Sequence, residues 1–241
     1  ARDLPAGERL YRDEVRYLAR ELAATVRLLK DRGRWERTAF VLTSDHGEMF
    51  PTDGHHDAVG PSGEPKSHGH GHALYGELVR VPQIIRPPGG LLGTRRLDVL
   101  TTHADLLPTL ADLAGLEPPA AAGGAYSLAP WLDPGATPDG ATRRRRAALL
   151  EANCWGPAQR GLLADALKVI VYPNGERASE LYDLSSDPRE QADLAAVRPE
   201  LLDAMTGRLE EAWAELAVAD AAETWEGEAV DDALRALGYV Q

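Results

Sequence analysis

The chain has 241 residues, 44% of them hydrophobic and 27% charged, with a formal net charge of −12 at pH 7. That length buries a sizeable core in one large or two modest domains, and the composition is that of an ordinary globular protein. The acidic balance argues against a nucleic-acid binder, which needs clustered Lys and Arg to neutralise phosphates, and no apolar run approaches the length of a membrane span.

No signal peptide is visible, and the chain opens at Ala1 without an initiator methionine, so it reads as the back part of something longer. The compartment stays open. The single cysteine, Cys154, rules out an intramolecular disulfide but fixes no redox environment, and it is read as a small packed hydrophobe. Tyr11, Val15, Leu18, Leu22, Val26 and Leu29 recur every three or four residues and predict an amphipathic helix that Gly33 ends. The apolar run Ala39-Phe40-Val41-Leu42 then predicts a buried strand in an open, parallel α/β sheet.

That strand runs into Thr43-Ser44-Asp45-His46-Gly47-Glu48. Ligands of open α/β sheets bind beyond the carboxyl ends of the strands. Side chains adjacent on a strand point to opposite faces. Asp45 and His46 therefore converge on one ion only if the chain has left the pleat, which Gly47 permits. A carboxylate and an imidazole both ligate divalent cations; the alternative is a plain strand-to-helix turn capped by Asp45.

Residues 49 to 72 are rich in Gly, Pro, His and Asp, and so long a stretch without periodicity is functional or disordered. All histidines except His103 lie between His46 and His72. His55, His56, His68 and His72 are expected to face water in a glycine-rich loop. A short helix over Ala73–Val79 leads to a strand at Val81–Arg86. Thr102 and Asp105 make a capping-box start, with Asp in place of the usual Glu, for a helix ending at Gly115.

Residues 117–142 are dominated by Pro, Gly and Ala and read as a linker or surface loop. The basic run Arg143-Arg144-Arg145-Arg146 reads as a solvated loop. Beyond it, Ala147–Ala152, Gly161–Asp165, Leu167–Tyr172 and Glu180–Leu184 read as short strands. Asn174-Gly175 is a hairpin signal, expected to set the register. Ser186-Asp187-Pro188 is expected to begin a helical region, and Pro199–Leu216 a long amphipathic helix. The expected division is residues 1–130 as part of an α/β domain and 131–241 as a small α+β antiparallel subdomain.

Val41 through Glu48 resembles the second metal-binding motif of the sulfatases, within the alkaline phosphatase-like superfamily. Gly69-His70-Gly71 with Leu74-Tyr75-Gly76-Glu77 and Val81-Pro82, then Asp105-Leu106-Leu107-Pro108-Thr109, is similar to later segments of that family. Glu180-Leu181-Tyr182-Asp183-Leu184 and Leu234–Val240 resemble its tail motifs. The resemblance runs in order over nearly the whole chain. It implies the C-terminal part of an alkaline phosphatase-like α/β sheet sandwiched by helices, then the antiparallel subdomain. It implies Asp45 and His46 as ligands of one divalent cation, Ca²⁺ first, with Mg²⁺ or Mn²⁺ as alternatives. It implies His70 as the catalytic group that meets the transferred group or leaving oxygen, with Glu48 and Arg80 as supporting residues.

The family nucleophile, a formylglycine made from Cys or Ser in Cys/Ser-x-Pro-x-Arg, has no counterpart here, since Cys154 has the wrong spacing. The resemblance therefore implies a hydrolase of small-molecule or glycan sulfate esters whose nucleophile lies outside this chain, which alone is expected to be inactive. The rivals are a phosphodiesterase, phosphonate monoesterase or phosphoglycerol transferase of the same superfamily. A different class is a non-catalytic protein whose His68-Gly69-His70-Gly71-His72 loop captures Zn²⁺ or Ni²⁺.

Overall fold

The computed structural model describes residues 6–51, 53–55, 58–59, 65–66, 68–90, 94, 96–117, 125–133, 135–136, 147–153 and 156–220. His56, Cys154, the run Arg143–Arg146 and the tail Leu234–Val240 lie outside them. Helix α1 spans Ala6–Asp31, and Gly33 follows it with φ +61°, the left-handed position that lets a helix end. The apolar stripe exists, but Leu10, Val15, Leu18 and Leu28 on α1 are exposed.

Strand β1 (Phe40–Thr43) pairs antiparallel with β4 (Gln83–Arg86), with Phe40 opposite Arg86 and Thr43 opposite Gln83. Among the described residues β1 has no parallel neighbour, which corrects the expectation of a parallel sheet. It is half-buried rather than buried, because a two-stranded ribbon covers neither of its faces. Between them lie the two-residue strands β2 (Ala58–Val59) and β3 (Pro65–Lys66), and the short helix α2 (Gly76–Val79). The helix expected from Ala73 begins only at Gly76; Ala73, Leu74 and Tyr75 are instead buried ahead of it.

The capping box is present: Thr102 N–H donates to Asp105 Oδ2 at 2.8 Å, and Asp105 is fully buried. Helix α3 (Leu106–Ala114) follows and ends on left-handed Gly115. Asp105 also accepts from Tyr126 N–H at 2.9 Å, and Thr109 Oγ1 from Leu128 N–H at 2.8 Å. The Asp-Leu-Leu-Pro-Thr segment thereby pins the chain beyond it.

The C-terminal sheet is a four-stranded antiparallel meander of β5 (Ala147–Ala152), β6 (Gln159–Ala164), β7 (Leu167–Val171) and β8 (Glu180–Asp183). The tight turn is not at Asn174-Gly175. Ala164 pairs with Leu167, and the residues between them, Asp165 and Ala166, have φ +53° and +64°, the two-residue hairpin form that matches strand twist. Asn174-Gly175 instead sits in a longer loop between β7 and β8, closed by Gly175 N–H to Tyr172 O at 2.9 Å. Residues 184–198 are turns, not the helix expected from Ser186.

One face of this sheet packs under helix α4 (Pro199–Asp220), where Leu162, Val169, Leu181, Met205 and Leu209 are buried together. The other face takes Met49, Leu74, Tyr75 and Leu78 against Ile170, Tyr172 and Tyr182. The segment 73–79 is thus a strap between the sheet and the Asp45 turn. Under it run two polar clusters. Lys168 and Glu190 form an ion pair at 2.5 Å, each 1% exposed, and the other oxygen of Glu190 accepts from Gly76 N–H at 2.5 Å. Glu180 accepts from the hydroxyls of Tyr75, Tyr172 and Tyr182 at 3.0, 2.6 and 2.7 Å. Burial, then the Glu180 charge, pushes the phenol pKa of Tyr75 and Tyr182 far up, and Tyr172 rises through burial and its Glu180 bond.

Candidate active site

The site is built by two clamps on the backbone. Gly47 N–H donates to Leu78 O at 2.7 Å, which seats the Asp45–Gly47 turn on the strap. A side chain at position 47 is excluded, since a Cβ there would lie 1.9 Å from Glu77 O. Next, Met49 and Gly69 form an antiparallel bridge, N–H to O at 3.0 and 3.1 Å. That register sets Glu48 opposite His70, and Glu48 Oε2 accepts from His70 Nδ1 at 2.9 Å. The His70 ring stacks on His46, centroids 4.0 Å apart.

Asp45 Oδ2 and His46 Nε2 lie 3.7 Å apart. His46 Nδ1 contacts Gly47 O at 2.8 Å. A carbonyl only accepts, so Nδ1 carries the proton and Nε2 keeps its lone pair on the Asp45 side. The His46 N–H donates to Asp45 Oδ1 at 2.9 Å, and that bond holds the Asp45 carboxyl below its usual range. A 3.7 Å spread is one that a cation with bonds of about 2.4 Å spans near a right angle. The pair therefore fits a hard divalent cation as part of a larger ligand set.

Asp45, His46 and His70 thus come together at the tip of β1. Glu48, expected only as support, is the residue that orients His70. His103, set apart in the sequence, also arrives here: its Nε2 donates to Ser44 O at 2.8 Å, tying the start of the α3 region to the turn. The Thr102–Asp105 box places His103 at an exposed helix start. Arg80 is exposed, and no described contact ties it to this cluster.

Two histidines expected in water are buried. His72 is fully buried beside Met49 Sδ at 3.4 Å, and its carbonyl accepts from Gln159 Nε2 at 2.8 Å. The cause is Gly71, whose φ of +76° breaks strand alternation, so His70 and His72 do not share a face. His55 is 9% exposed, stacked on Tyr75 at 3.8 Å, with Nδ1 on Glu77 Oε1 at 2.6 Å and Nε2 on Glu190 O at 3.0 Å. Both partners accept hydrogen bonds, which favours the protonated ring. Burial opposes that charge, but Glu77 and the Glu190 carbonyl outweigh it and raise the pKa. His68 is exposed, as expected.

This α/β chain, with an Asp-His pair at a strand tip, has an alkaline phosphatase-like fold; the phosphonate monoester hydrolase of Agrobacterium radiobacter shares it with a TM-score of 0.58 at 23% identity, over 81% of this chain and 38% of that one. The sulfatase family model matches residues 9–116, and the model for the C-terminal part of N-sulphoglucosamine sulphohydrolase matches residues 70–216. The chain belongs to the sulfatase family. It is 30% identical over 192 residues to the uncharacterized sulfatase YidJ of Escherichia coli, covering 70% of this chain and 32% of that protein. It is 30% identical over 169 residues to N-acetylglucosamine-6-O-sulfatase of Bacteroides thetaiotaomicron, covering 67% and 27%. A solved protein in complex with its substrate D-glucosamine-2-N,6-O-disulfate superposes with a TM-score of 0.66 at 25% identity, over 82% of this chain and 38% of that one. The chain spans about a third of the length of the curated relatives it matches, 32% and 27% in the two cases above. No helix among the described residues is long and apolar enough to cross a membrane.

Proposed function

We propose that these residues supply the cation-holding and leaving-group side of a metal-dependent hydrolase of sulfate esters, on sulfated sugars or small molecules. The observation that carries the reading is the juxtaposition of Asp45 and His46, 3.7 Å apart, with a carboxylate-held His70 stacked on His46. Asp45 and His46 would hold one divalent cation, Ca²⁺ before Mg²⁺ or Mn²⁺. When bound, a divalent cation neutralises charge on the transferred group and helps position the nucleophile.

Two ligands fall short of the roughly six to eight oxygens Ca²⁺ takes. The remaining ligands and a formylglycine nucleophile are proposed to come from a segment outside these 241 residues. His70 donates from Nδ1 to Glu48, and in the imidazolium form its Nε2–H would give a proton to the departing oxygen. Glu48 orients the ring. Asp45, held ionised by the His46 N–H, keeps negative charge where a cation needs it.

The test uses a full-length enzyme that carries this chain behind a Cys/Ser-x-Pro-x-Arg segment. Asp45→Ala lowers turnover on an aryl sulfate by on the order of a hundredfold or more. His70→Ala lowers turnover more than substrate binding, because its bond to the leaving oxygen strengthens as charge develops. The 241-residue chain alone turns over neither aryl sulfate nor aryl phosphate with any of the three cations. Metal-dependent multiple turnover by the chain alone defeats the reading. The fold shared with a phosphonate monoester hydrolase supports a second substrate class, so aryl phosphonates belong in the same assay.

A further inference from the structure

We propose that His46, Glu48 and His70 form a second kind of cation site, one for a borderline-soft divalent ion, with Zn²⁺ the ion that fits. It does not depend on the hydrolase reading and needs no residue outside this chain. One ligand atom from each of the three side chains lies within 4.8 Å of the others. Two imidazoles and a carboxylate are the donor set of zinc sites, whose bonds are about 2.0–2.2 Å. The spread closes by small side-chain rotations, since all three side chains reach solvent, at 44, 23 and 50% exposure for His46, Glu48 and His70.

The backbone under them is already fixed. The Met49–Gly69 bridge holds Glu48 against His70, and the Gly47–Leu78 hydrogen bond holds His46 beside them. The Gly47 carbonyl accepts a hydrogen bond from His46 Nδ1, so Nε2 is a ready ligand. Glu48 Oε2 and His70 Nδ1 now share a proton across 2.9 Å. The ion takes the place of the hydrogen on His70 Nδ1, and in the neutral ring that hydrogen moves to Nε2.

Selectivity follows from ligand softness. Ca²⁺ prefers oxygens, and two nitrogens in three donors favour Zn²⁺ strongly. The site is also not the run of alternating histidines: His72 is buried against Met49, and His68 stands outside the cluster. Because it captures His46 and His70 together, zinc here removes both from any hydrolytic role.

The experiment titrates Zn²⁺ into the 241-residue chain against a chromophoric zinc chelator, with Ca²⁺ in excess, and repeats it by calorimetry. One zinc binds per chain despite the calcium. His46→Ala, His70→Ala and Glu48→Gln each weaken binding by more than the roughly tenfold that loss of a supporting hydrogen bond costs, while His68→Ala leaves it unchanged. Circular dichroism of each variant shows that the fold is kept. Zinc binding no tighter than calcium binding overturns the proposal. So does binding that survives His46→Ala or Glu48→Gln, or binding lost with His68→Ala.

Discussion

Replacing Gly47 by alanine tests how the site is seated. The new Cβ would lie 1.9 Å from Glu77 O, 2.8 Å from the Glu77 carbonyl carbon and 3.2 Å from Leu78 Cα. All three are backbone atoms, so no side chain can swing away to make room. The turn and the strap must separate, and the 2.7 Å hydrogen bond from Gly47 N–H to Leu78 O goes with them. Losing that bond costs about 1 kcal/mol, and overpacking of this kind adds about 1–3 kcal/mol. The sum is a loss of about 2–4 kcal/mol, read as a lower urea midpoint at constant m. Gly207→Ala on α4 is the control of opposite sign: nothing lies within 4 Å of its Cβ, and removing a helical glycine stabilises by about 0.5–1 kcal/mol. A Gly47→Ala chain within about 0.5 kcal/mol of the parent, a surface-like effect, would falsify the clamp.

Glu190→Gln leaves the Lys168 ammonium buried without its counter-charge, and destabilisation of about 3–5 kcal/mol is expected in urea melts; a small loss means the lysine is already neutral. His55 has a raised pKa in the fold, so its contribution to stability is full below the ordinary imidazole value of about 6.5 and disappears as pH climbs through the raised value. Urea midpoints measured upward from neutral pH should therefore fall in the parent and fall less in His55→Gln. Ala166→Gly relieves a non-glycine at φ +64° in a two-residue turn and should stabilise the chain by up to about 1 kcal/mol, read as a higher urea midpoint; a lower midpoint shows that the turn is not under strain.

Local signals with a strong mechanism were legible in the sequence. The capping box at Thr102 and Asp105 and the C-terminal strands all appear in the structure within a residue or two of their expected places. The strand tip at Asp45 was also readable, because a polar triplet after an apolar run has little else to be. What failed depended on one dihedral or on distant partners. Nothing in His68-Gly69-His70-Gly71-His72 announces that Gly71 turns His72 inward, since glycine tolerates either sign of φ. His55 read as a loop residue because its partners, Glu77 and Glu190, are 22 and 135 positions away. The Asp165-Ala166 turn was hidden for the opposite reason: alanine rarely takes a left-handed conformation, so the eye goes to Asn174-Gly175. The parallel sheet did not appear because β1 meets no partner but β4 among the described residues.

The tyrosine cluster on Glu180 gives the molecule its own optical gauge. Of seven tyrosines, Tyr75, Tyr172 and Tyr182 donate to one carboxylate beneath the strap and resist ionisation. Burial and the Glu180 charge delay phenolate formation in these three rings during an alkaline titration followed by ultraviolet absorbance. Phenolate signal from the cluster arrives only when the sheet and strap come apart, as a step whose height counts those rings. A single cuvette thus reports whether the C-terminal sheet is intact, with no label attached and no substrate identified.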